Sequence, residues 1–414
     1  MKHQPQRAIA HVGREVFGHW SRERRSIRQG FSALALSTGV GMAAGVVLGF
    51  MEGILAEYRG LLVLVPAAIG MRGAIFGALG ARIGTGILTG LYSTTLRRGS
   101  FTAQNVEASI LLSFFSSALA AIVARAAAGA FGLPTISLWE LMLVSMLGGL
   151  LSSAFILVGV LLLAATAQRR DWDMDAIGSP LITATGDIVT LPALVVATLL
   201  LGYEPLATIL GVVLFLTAVA AVYRGAWRSP DLARGVVRQS LAVLAYAAIV
   251  DVLAGTVLET RIEEFVTSPA LLVLIPPFIA NCGSLGGILS ARLGSDLHLG
   301  LITPRLIPEK LAGLEASVTV LFSVAAFTGV GLIAHTASLI AGFASPGLGP
   351  MVLISLTAGA LATGLLAVVA YASAAATFRF GMDPDNYGIP IVTATMDFFG
   401  VLCLVAGIAL IGHT

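Results

Sequence analysis

The sequence predicts an all-α integral membrane protein with about eleven transmembrane helices, arranged as two parallel five-helix repeats joined by a connector helix. Three observations predict this fold. Of the 414 residues, 57% are hydrophobic and only 11% are charged, whereas a soluble domain carries about 25% charged residues. Apolar runs of roughly 18 or more residues, enough for a helix to span the bilayer, recur along the whole chain. Several motifs also occur twice at one spacing.

Eleven apolar segments are long enough to be transmembrane helices. A transmembrane barrel is excluded because its strands would give ~10-residue segments of alternating polarity, a pattern absent from this sequence. The predicted spans are 31–51, 61–82, 107–130, 139–166, 179–201, 206–223, 240–258, 270–291, 314–340, 348–376 and 388–411. Cys282 and Cys403 fall inside spans and therefore indicate no disulfide.

Lysine and arginine are divided unevenly between the two sets of loops. The N-terminal segment and the loops on its side hold nineteen of them, whereas the opposite loops hold only Arg59 and Arg261. Because loops rich in basic residues stay in the cytoplasm, the N-terminus is predicted to be cytoplasmic and the C-terminus to lie outside. Residues 1–30 are too long and too basic for a cleaved signal peptide, so they are expected to remain as a cytoplasmic tail.

The chain contains one unit twice. Three pairs of segments lie 210 residues apart: "LLVLVP" at 61–66 with "LLVLIP" at 271–276, "GARIG" at 80–84 with "SARLG" at 290–294, and "DMDAIGSPLITATGD" at 173–187 with "DPDNYGIPIVTATMD" at 383–397. The repeats are therefore assigned to 31–201 and 231–414, with the connector at 202–230. Since each repeat has an odd number of spans, the connector helix restores the orientation, and the repeats are parallel about an axis along the membrane normal.

The longest repeated motif places one aspartate inside a span of each repeat, Asp187 and Asp397. A charged side chain at the centre of a span costs about 2.5–3.5 kcal/mol on insertion scales, so it normally faces the bundle interior or a water-filled path. Parallel repeats place the two carboxylates at one depth, where they repel each other unless a cation or a proton lies between them. The alternative is that each aspartate hydrogen-bonds a neighbouring helix and stabilises packing.

Oxygen-bearing side chains near the pair favour a hard divalent cation. The same motif contains four threonines with hydroxyl and carbonyl oxygens: Thr183, Thr185, Thr393 and Thr395. Mg²⁺ takes one or two carboxylates and keeps most of its waters. An oxygen-lined ring with two aspartates therefore suits a partly hydrated Mg²⁺, whereas no cluster of Cys and His indicates zinc or copper.

Further acidic residues lie at the predicted cytoplasmic ends of the spans. Four of them begin the helices that carry the aspartate pair: Asp173, Asp175, Asp383 and Asp385. Helix N-capping and cation binding explain these four equally well. Glu107 and Glu315, matched by "VEAS" and "LEAS", are candidates for the mouth of a pore, or else they pair with nearby arginines.

The second span of each repeat contains proline and glycine, in "PAAIGMRGAIFG" and "PPFIANCGSLGG". Broken helices near the midplane often line a binding site, which makes Asn281 a candidate ligand. Arg72 would repel a cation and is expected to point away and pair with an acid. Asp251 has no acidic counterpart in the first repeat. A local structural role is expected for it, with a coupling-ion or proton site as the alternative.

The repeated motifs resemble those of a known family. "DPDNYGIPIVTATMD" and "DMDAIGSPLITATGD" resemble the fifth transmembrane helix of MgtE-type magnesium transporters, and "IPPFIANCGSLGGILSARLG" is similar to their second helix. The duplicated plan is more similar still to the eukaryotic solute-carrier magnesium transporters, which carry two MgtE-like halves in one chain. The resemblance implies Mg²⁺ permeation along the interface of the halves, with Asp187 and Asp397 as central ligands and Asp173 and Asp383 at the inner mouth.

Three departures from the MgtE pattern limit what the resemblance implies. Single-half MgtE proteins have large cytoplasmic regulatory domains, whereas about 30 residues precede the first span here, so their gating is not implied. The Gly-Asn of their second helix reads Gly73-Ala74 and Gly283-Ser284 in this chain. Met174 replaces the proline of the fifth-helix motif in the first repeat.

Two alternative functions remain open at this point. A Na⁺- or proton-coupled Mg²⁺ exchanger would use the same carboxylates. An intramembrane aspartyl protease also uses two membrane aspartates, and "PAL" at 192–194 mimics one of its signatures, but a duplicated chain is not needed for that chemistry. The sequence therefore favours a transporter over an enzyme. Its expected partners are Mg²⁺ and the lipid bilayer, not nucleic acid. One chain suffices for a pseudo-dimeric pore, and a homodimer is compatible with it.

Overall fold

The computed structural model describes residues 15–97, 99–170, 174–203, 205–305, 307–381 and 388–411, without the side chains of 25–26, 174–181 and 183–184. Throughout these ranges the regular structure is helical, and no strand occurs in them. The predicted all-helical class is therefore confirmed.

The helices follow the two repeats. After the short helix α1 (15–22), the long helices of the first repeat are α2 (Arg24–Phe50), α4 (Leu61–Leu88), α5 (Phe101–Ala130), α6 (Leu138–Arg170) and α7 (Met174–Thr198). The connector is α8 (Leu206–Trp227). The second repeat contains α9 (Asp231–Glu259), α11 (Pro269–His298), α12 (Lys310–Ala341), α13 (Leu348–Phe380) and α14 (Ile389–Ile411). Two short helices, α3 (Glu52–Glu57) and α10 (Ile262–Thr267), follow the first long helix of each repeat.

Within the described residues, ten helices are long and apolar enough to cross a membrane. They correspond to ten of the eleven predicted spans, and α7, apolar over Thr185–Thr198, corresponds to the eleventh. Several helices begin before the predicted spans, such as α2 at Arg24 and α9 at Asp231. Hydropathy marks only the apolar part of a helix, whereas the hydrogen-bonded backbone continues into its polar end.

The first long helix of each repeat packs mainly on the other repeat. Helix α2 lies along α11 and also contacts α12, while α9 lies along α4 and α5. Each also contacts the last helix of its own repeat, α2 with α7 and α9 with α14. The repeats are therefore interlocked through α2 and α9. We call α2 and α9 the exchanged helices, because each packs mainly on the opposite repeat. The sequence pattern did not indicate this arrangement.

Glycines allow the exchanged helices to approach their partners closely. A Cβ on Gly45 in α2 would collide with the Val273 backbone in α11, and a Cβ on Gly255 in α9 would collide with the Val63 backbone in α4. Gly255 lies 210 residues after Gly45, and Val273 lies 210 residues after Val63. Small residues at such crossings bring helix backbones together in membranes. The spacing read from the sequence therefore also relates contacts in the folded protein.

Candidate cation-binding site

Asp397 lies on α14 at the interface of the two repeats. Its Oδ1 atom is 3.4 Å from the position that a Cβ on Gly283 would take. Its Oδ2 atom is 3.6 Å from the position that a Cβ on Gly70 would take. Gly283 belongs to the second repeat and Gly70 to the first. Because neither glycine has a side chain, the carboxylate has open space beside it, and Asp397 is partly exposed.

Asp187 lies on α7 beside α4, as Asp397 lies on α14 beside α11. The Cβ position of the preceding Gly186 is 3.7 Å from Cβ of Arg72 and 3.9 Å from the backbone nitrogen of Gly73. Gly73 is the repeat equivalent of Gly283. Asp187 is partly exposed, and its charge is close enough to interact with that of Asp397. The structure thus brings the two repeated aspartates into electrostatic range of each other.

Asp251, to which the sequence assigned a local structural role, lies next to this pair. Helix α9 carries it onto the first repeat, where its Oδ2 atom is 2.7 Å from the Cβ position of Gly70. Its charge interacts with that of Asp397. Comparison of the repeats gives this residue no acidic counterpart, because the equivalent position is Gly41. A carboxylate inside a span is a candidate functional residue even without a repeated partner, and its role stays a prediction.

The predicted threonine ligands are placed unequally. Thr393 lies beside the Asp397 carboxylate, with its Cβ 3.8 Å from the Cβ position of Gly283, and its hydroxyl donates to the Pro390 carbonyl at 3.1 Å. The Thr395 hydroxyl shares a 2.7 Å hydrogen bond with Tyr246 of α9. For two predicted ligands, Asp175 and Thr183, the side chains lie outside the described part of the chain. Three others lie wholly outside it: Asp173, Asp383 and Asp385.

Asn281 is fully buried and faces α2. Its Nδ2 donates to the Thr38 hydroxyl at 2.9 Å and to the Pro277 carbonyl at 2.7 Å, which ties α11 to the exchanged helix. Its Oδ1 has no hydrogen-bond partner within the described part of the chain. The structure therefore shows Asn281 at the inter-repeat contact, with its amide hydrogens already used for packing.

Arg72 is buried and points away from the aspartates, into the space between α5 and α6. Its guanidinium donates to the hydroxyl of Ser153 at 3.0 Å and to that of Ser117. The sequence predicted an acidic partner, but among the described residues no carboxylate forms an ion pair with Arg72. That part of the prediction is corrected: serine hydroxyls take the place of the acid.

Glu107 and Glu315 both bind the chain segment that precedes the exchanged helix. Glu107 accepts a 2.8 Å hydrogen bond from Ser229 and lies 3.5 Å from Nε of Arg224. Glu315 pairs with Arg292 and lies 3.2 Å from Nε2 of His19. His19 and Ser229 are themselves 210 residues apart. Pairing with arginine, the second of the two interpretations offered by the sequence, therefore describes both glutamates.

Replacing Glu315 by glutamine is expected to lower the stability of the protein by about 1–3 kcal/mol, because the buried Glu315 carboxylate pairs with the partly buried Arg292, which would keep only Glu23 as an acidic partner. Cation flux should stay within about twofold of the wild type. The measurement is thermal unfolding in detergent, followed by flux in liposomes. Glu107→Gln is the matched control, since its pair is more exposed, and should cost less than about 1 kcal/mol. A large loss of flux with unchanged stability would instead place Glu315 in the ion path.

Over the described residues, no three His, Cys, Asp or Glu side chains come close enough together to hold a metal ion. Mg²⁺ gives up its waters reluctantly and commonly binds through one or two carboxylates. The partly hydrated Mg²⁺ at the two aspartates therefore stays a prediction.

Comparison with known families agrees with this chemistry. The family model MgtE, whose description is divalent cation transporter, matches residues 65–197 and 275–407. The chain belongs to the MgtE family of divalent cation transporters. The two matches are 210 residues apart at both ends, so the MgtE unit occurs twice in this chain. MgtE proteins are transporters, which confirms the prediction that the chain is not an enzyme.

This duplicated MgtE chain is similar to solute carrier family 41 proteins. Member 2 of Xenopus laevis is 22% identical over 394 residues, which cover 88% of this chain and 68% of the relative. Member 2 of Homo sapiens is 21% identical, with 88% and 66% covered. Member 3 of Mus musculus is 21% identical over 396 residues, with 89% and 79% covered. The chain thus spans about two thirds of the length of the member 2 relatives. No solved structure matches it.

Proposed function

We propose that this protein transports Mg²⁺ across the membrane along the interface of its two repeats, with Asp187 and Asp397 as ligands of a partly hydrated ion. One observation carries the proposal. The Asp397 carboxylate lies between a glycine of each repeat, Gly70 and Gly283, and within electrostatic range of Asp187. A position shared by both repeats is what an interfacial path requires.

The chemistry of the groups supports the same function. Two like charges inside a helix bundle repel each other, and a cation between them removes the repulsion. The described groups around Asp397 offer oxygen rather than sulfur or imidazole ligands, with the exception of the buried Cys282 thiol, and oxygen ligands suit Mg²⁺. The family description, divalent cation transporter, names the same class of substrate.

The sequence supports an orientation of the chain and a position for the mouth of the path. The uneven distribution of basic residues supports a cytoplasmic N-terminus. With that orientation, Asp173 and Asp383 precede α7 and α14 in the sequence on the cytoplasmic side, where the resemblance to MgtE proteins implies an inner mouth. Asp175 and Asp385 follow these two aspartates by two residues in the sequence, and their negative charge would raise the local concentration of cations.

The test is Mg²⁺ influx into liposomes that contain purified protein and an entrapped fluorescent Mg²⁺ indicator. Wild-type protein should give influx well above that of empty liposomes. The double variant Asp187→Asn/Asp397→Asn should fall to the empty-liposome level, because it keeps the shape of both side chains and removes both charges. Undiminished influx through the double variant would overturn the proposed site.

A Na⁺- or proton-coupled exchanger that uses the same site is the second candidate. The presence of Asp251 next to Asp397 favours it, since a simple passive path does not require a third carboxylate there. The same liposomes distinguish the two: influx that ignores imposed Na⁺ and proton gradients indicates a channel-like path. Influx that depends on either gradient indicates the exchanger.

A further inference from the structure

We propose that Asp251 is a third ligand of the transported cation, so that the binding site is asymmetric although the chain is a duplication. This inference rests on the proposed function and deepens it. It assigns the cation to a position between Asp251 and Asp397, next to Gly70. Because no three carboxylates of the described residues lie close enough together to hold one ion directly, Asp187 would reach the cation through one of the waters that Mg²⁺ keeps.

The geometry around Gly70 carries this inference. The Oδ2 atoms of Asp251 and Asp397 lie 2.7 Å and 3.6 Å from one point, the position that a Cβ on Gly70 would take. The two carboxylates therefore approach each other across space that is open only because residue 70 has no side chain. Carboxylate oxygens that face one open space are the kind of ligand that a divalent cation prefers.

The surroundings of Asp251 do not explain it as a packing residue. The residue is 1% exposed, and its Oδ1 has no hydrogen-bond partner among the residues that the structure describes. No ion pair to it occurs among these residues either. A buried carboxylate without a partner is costly, and the neighbouring Asp397 adds repulsion. A cation between the two carboxylates would remove both costs.

The first repeat has no room for an equivalent ligand. Its counterpart residue, Gly41, packs against α11, where an added Cβ would lie 2.6 Å from Cα of Pro277. The exchanged helix α2 therefore closes onto its partner at the level where α9 presents a carboxylate. Asp187 has no such third group beside it from α2, which is why the site is displaced toward Asp397.

Asp251→Asn tests the inference with two readouts, because the amide has nearly the shape of the carboxylate. Mg²⁺ influx should fall at least tenfold, and the rise in melting temperature that Mg²⁺ causes in detergent should shrink. Without Mg²⁺ the variant should melt at the wild-type temperature or above it, since an unpartnered buried charge has been removed. A purely structural Asp251 would give the opposite: a lower melting temperature without Mg²⁺ and unchanged influx per folded protein.

Gly70→Ala tests the same site without removing a charge. Its methyl group would enter the space between the two carboxylates, so influx should fall at least tenfold. Gly283→Ala makes only an ordinary contact with Asp397 and should have a smaller effect, and Gly329→Ala in α12, with open space around it, should have none. Equal influx in Gly70→Ala and Gly329→Ala would overturn the inference.

The two levels of proposal fail in different ways. If the double variant Asp187→Asn/Asp397→Asn keeps wild-type influx, the proposed function fails at its site. If that double variant is inactive while Asp251→Asn transports like the wild type, the proposed function stands and only the role of Asp251 is rejected.

Discussion

Replacing Asp397 alone by asparagine is expected to lower Mg²⁺ influx by about 100-fold, equivalent to roughly 2.7 kcal/mol. Asp397 is the carboxylate whose charge interacts with both of the others, Asp187 and Asp251. Replacing it therefore removes one carboxylate from both pairs, Asp397 with Asp187 and Asp397 with Asp251. Asp187→Asn removes one member of one pair, and a loss of about tenfold is expected.

The measurement compares initial rates of influx in liposomes at equal amounts of folded protein. Asp231→Asn is the matched control, because that carboxylate is fully exposed at the start of α9 and should leave the rate unchanged. Equal losses in Asp187→Asn and Asp397→Asn would contradict the central position of Asp397 and favour a symmetric site.

Adding one methyl group at either exchanged-helix crossing is expected to have the largest effect on stability. In Gly45→Ala and Gly255→Ala, the new Cβ would collide with a backbone carbonyl group rather than with a movable side chain. Overpacking of this kind costs about 3 kcal/mol. The two variants should lose similar amounts, because the same contact occurs in each repeat.

Thermal unfolding in detergent measures both losses. Gly39→Ala on α2 is the control, since no atom lies within 4 Å of its Cβ position and alanine favours a helix over glycine by about 1 kcal/mol. It should therefore be as stable as the wild type or more so. Unchanged melting of Gly45→Ala and Gly255→Ala would show that α2 and α9 do not pack this closely on the opposite repeats.

Much of the architecture is predictable because duplication leaves a register in the sequence. The spacing of 210 residues recurs in the contact of Gly45 with Val273 and in that of Gly255 with Val63. The paired aspartates were likewise visible, because two charges in apolar spans at one register are conspicuous. The repeat follows from positions along the chain alone. The aspartate pair follows from those positions together with the cost of placing a charge in a membrane.

The placement of helices across the repeat boundary is not predictable in this way. A repeat pattern says which residues are equivalent, but either repeat offers an apolar surface on which α2 or α9 can pack. For lack of an acidic equivalent, a local structural role was therefore expected for Asp251, with a coupling-ion or proton site as the alternative, although α9 carries it next to Asp397. Arg72 shows the same limit, since serines on two other helices replace the acid expected from its charge.

The exchange of α2 and α9 also has a consequence for biosynthesis. Helix α2 is the first long helix to be made, but α11, along which it packs, begins only at Pro269. At 5–20 residues per second, α2 waits on the order of ten seconds or more in the bilayer before that partner is translated. During this interval its glycine-rich face must be covered by lipid or by a chaperone. A chain arrested after the first repeat would lack α11, so that face would stay in contact with lipid or a chaperone instead of packing on its partner.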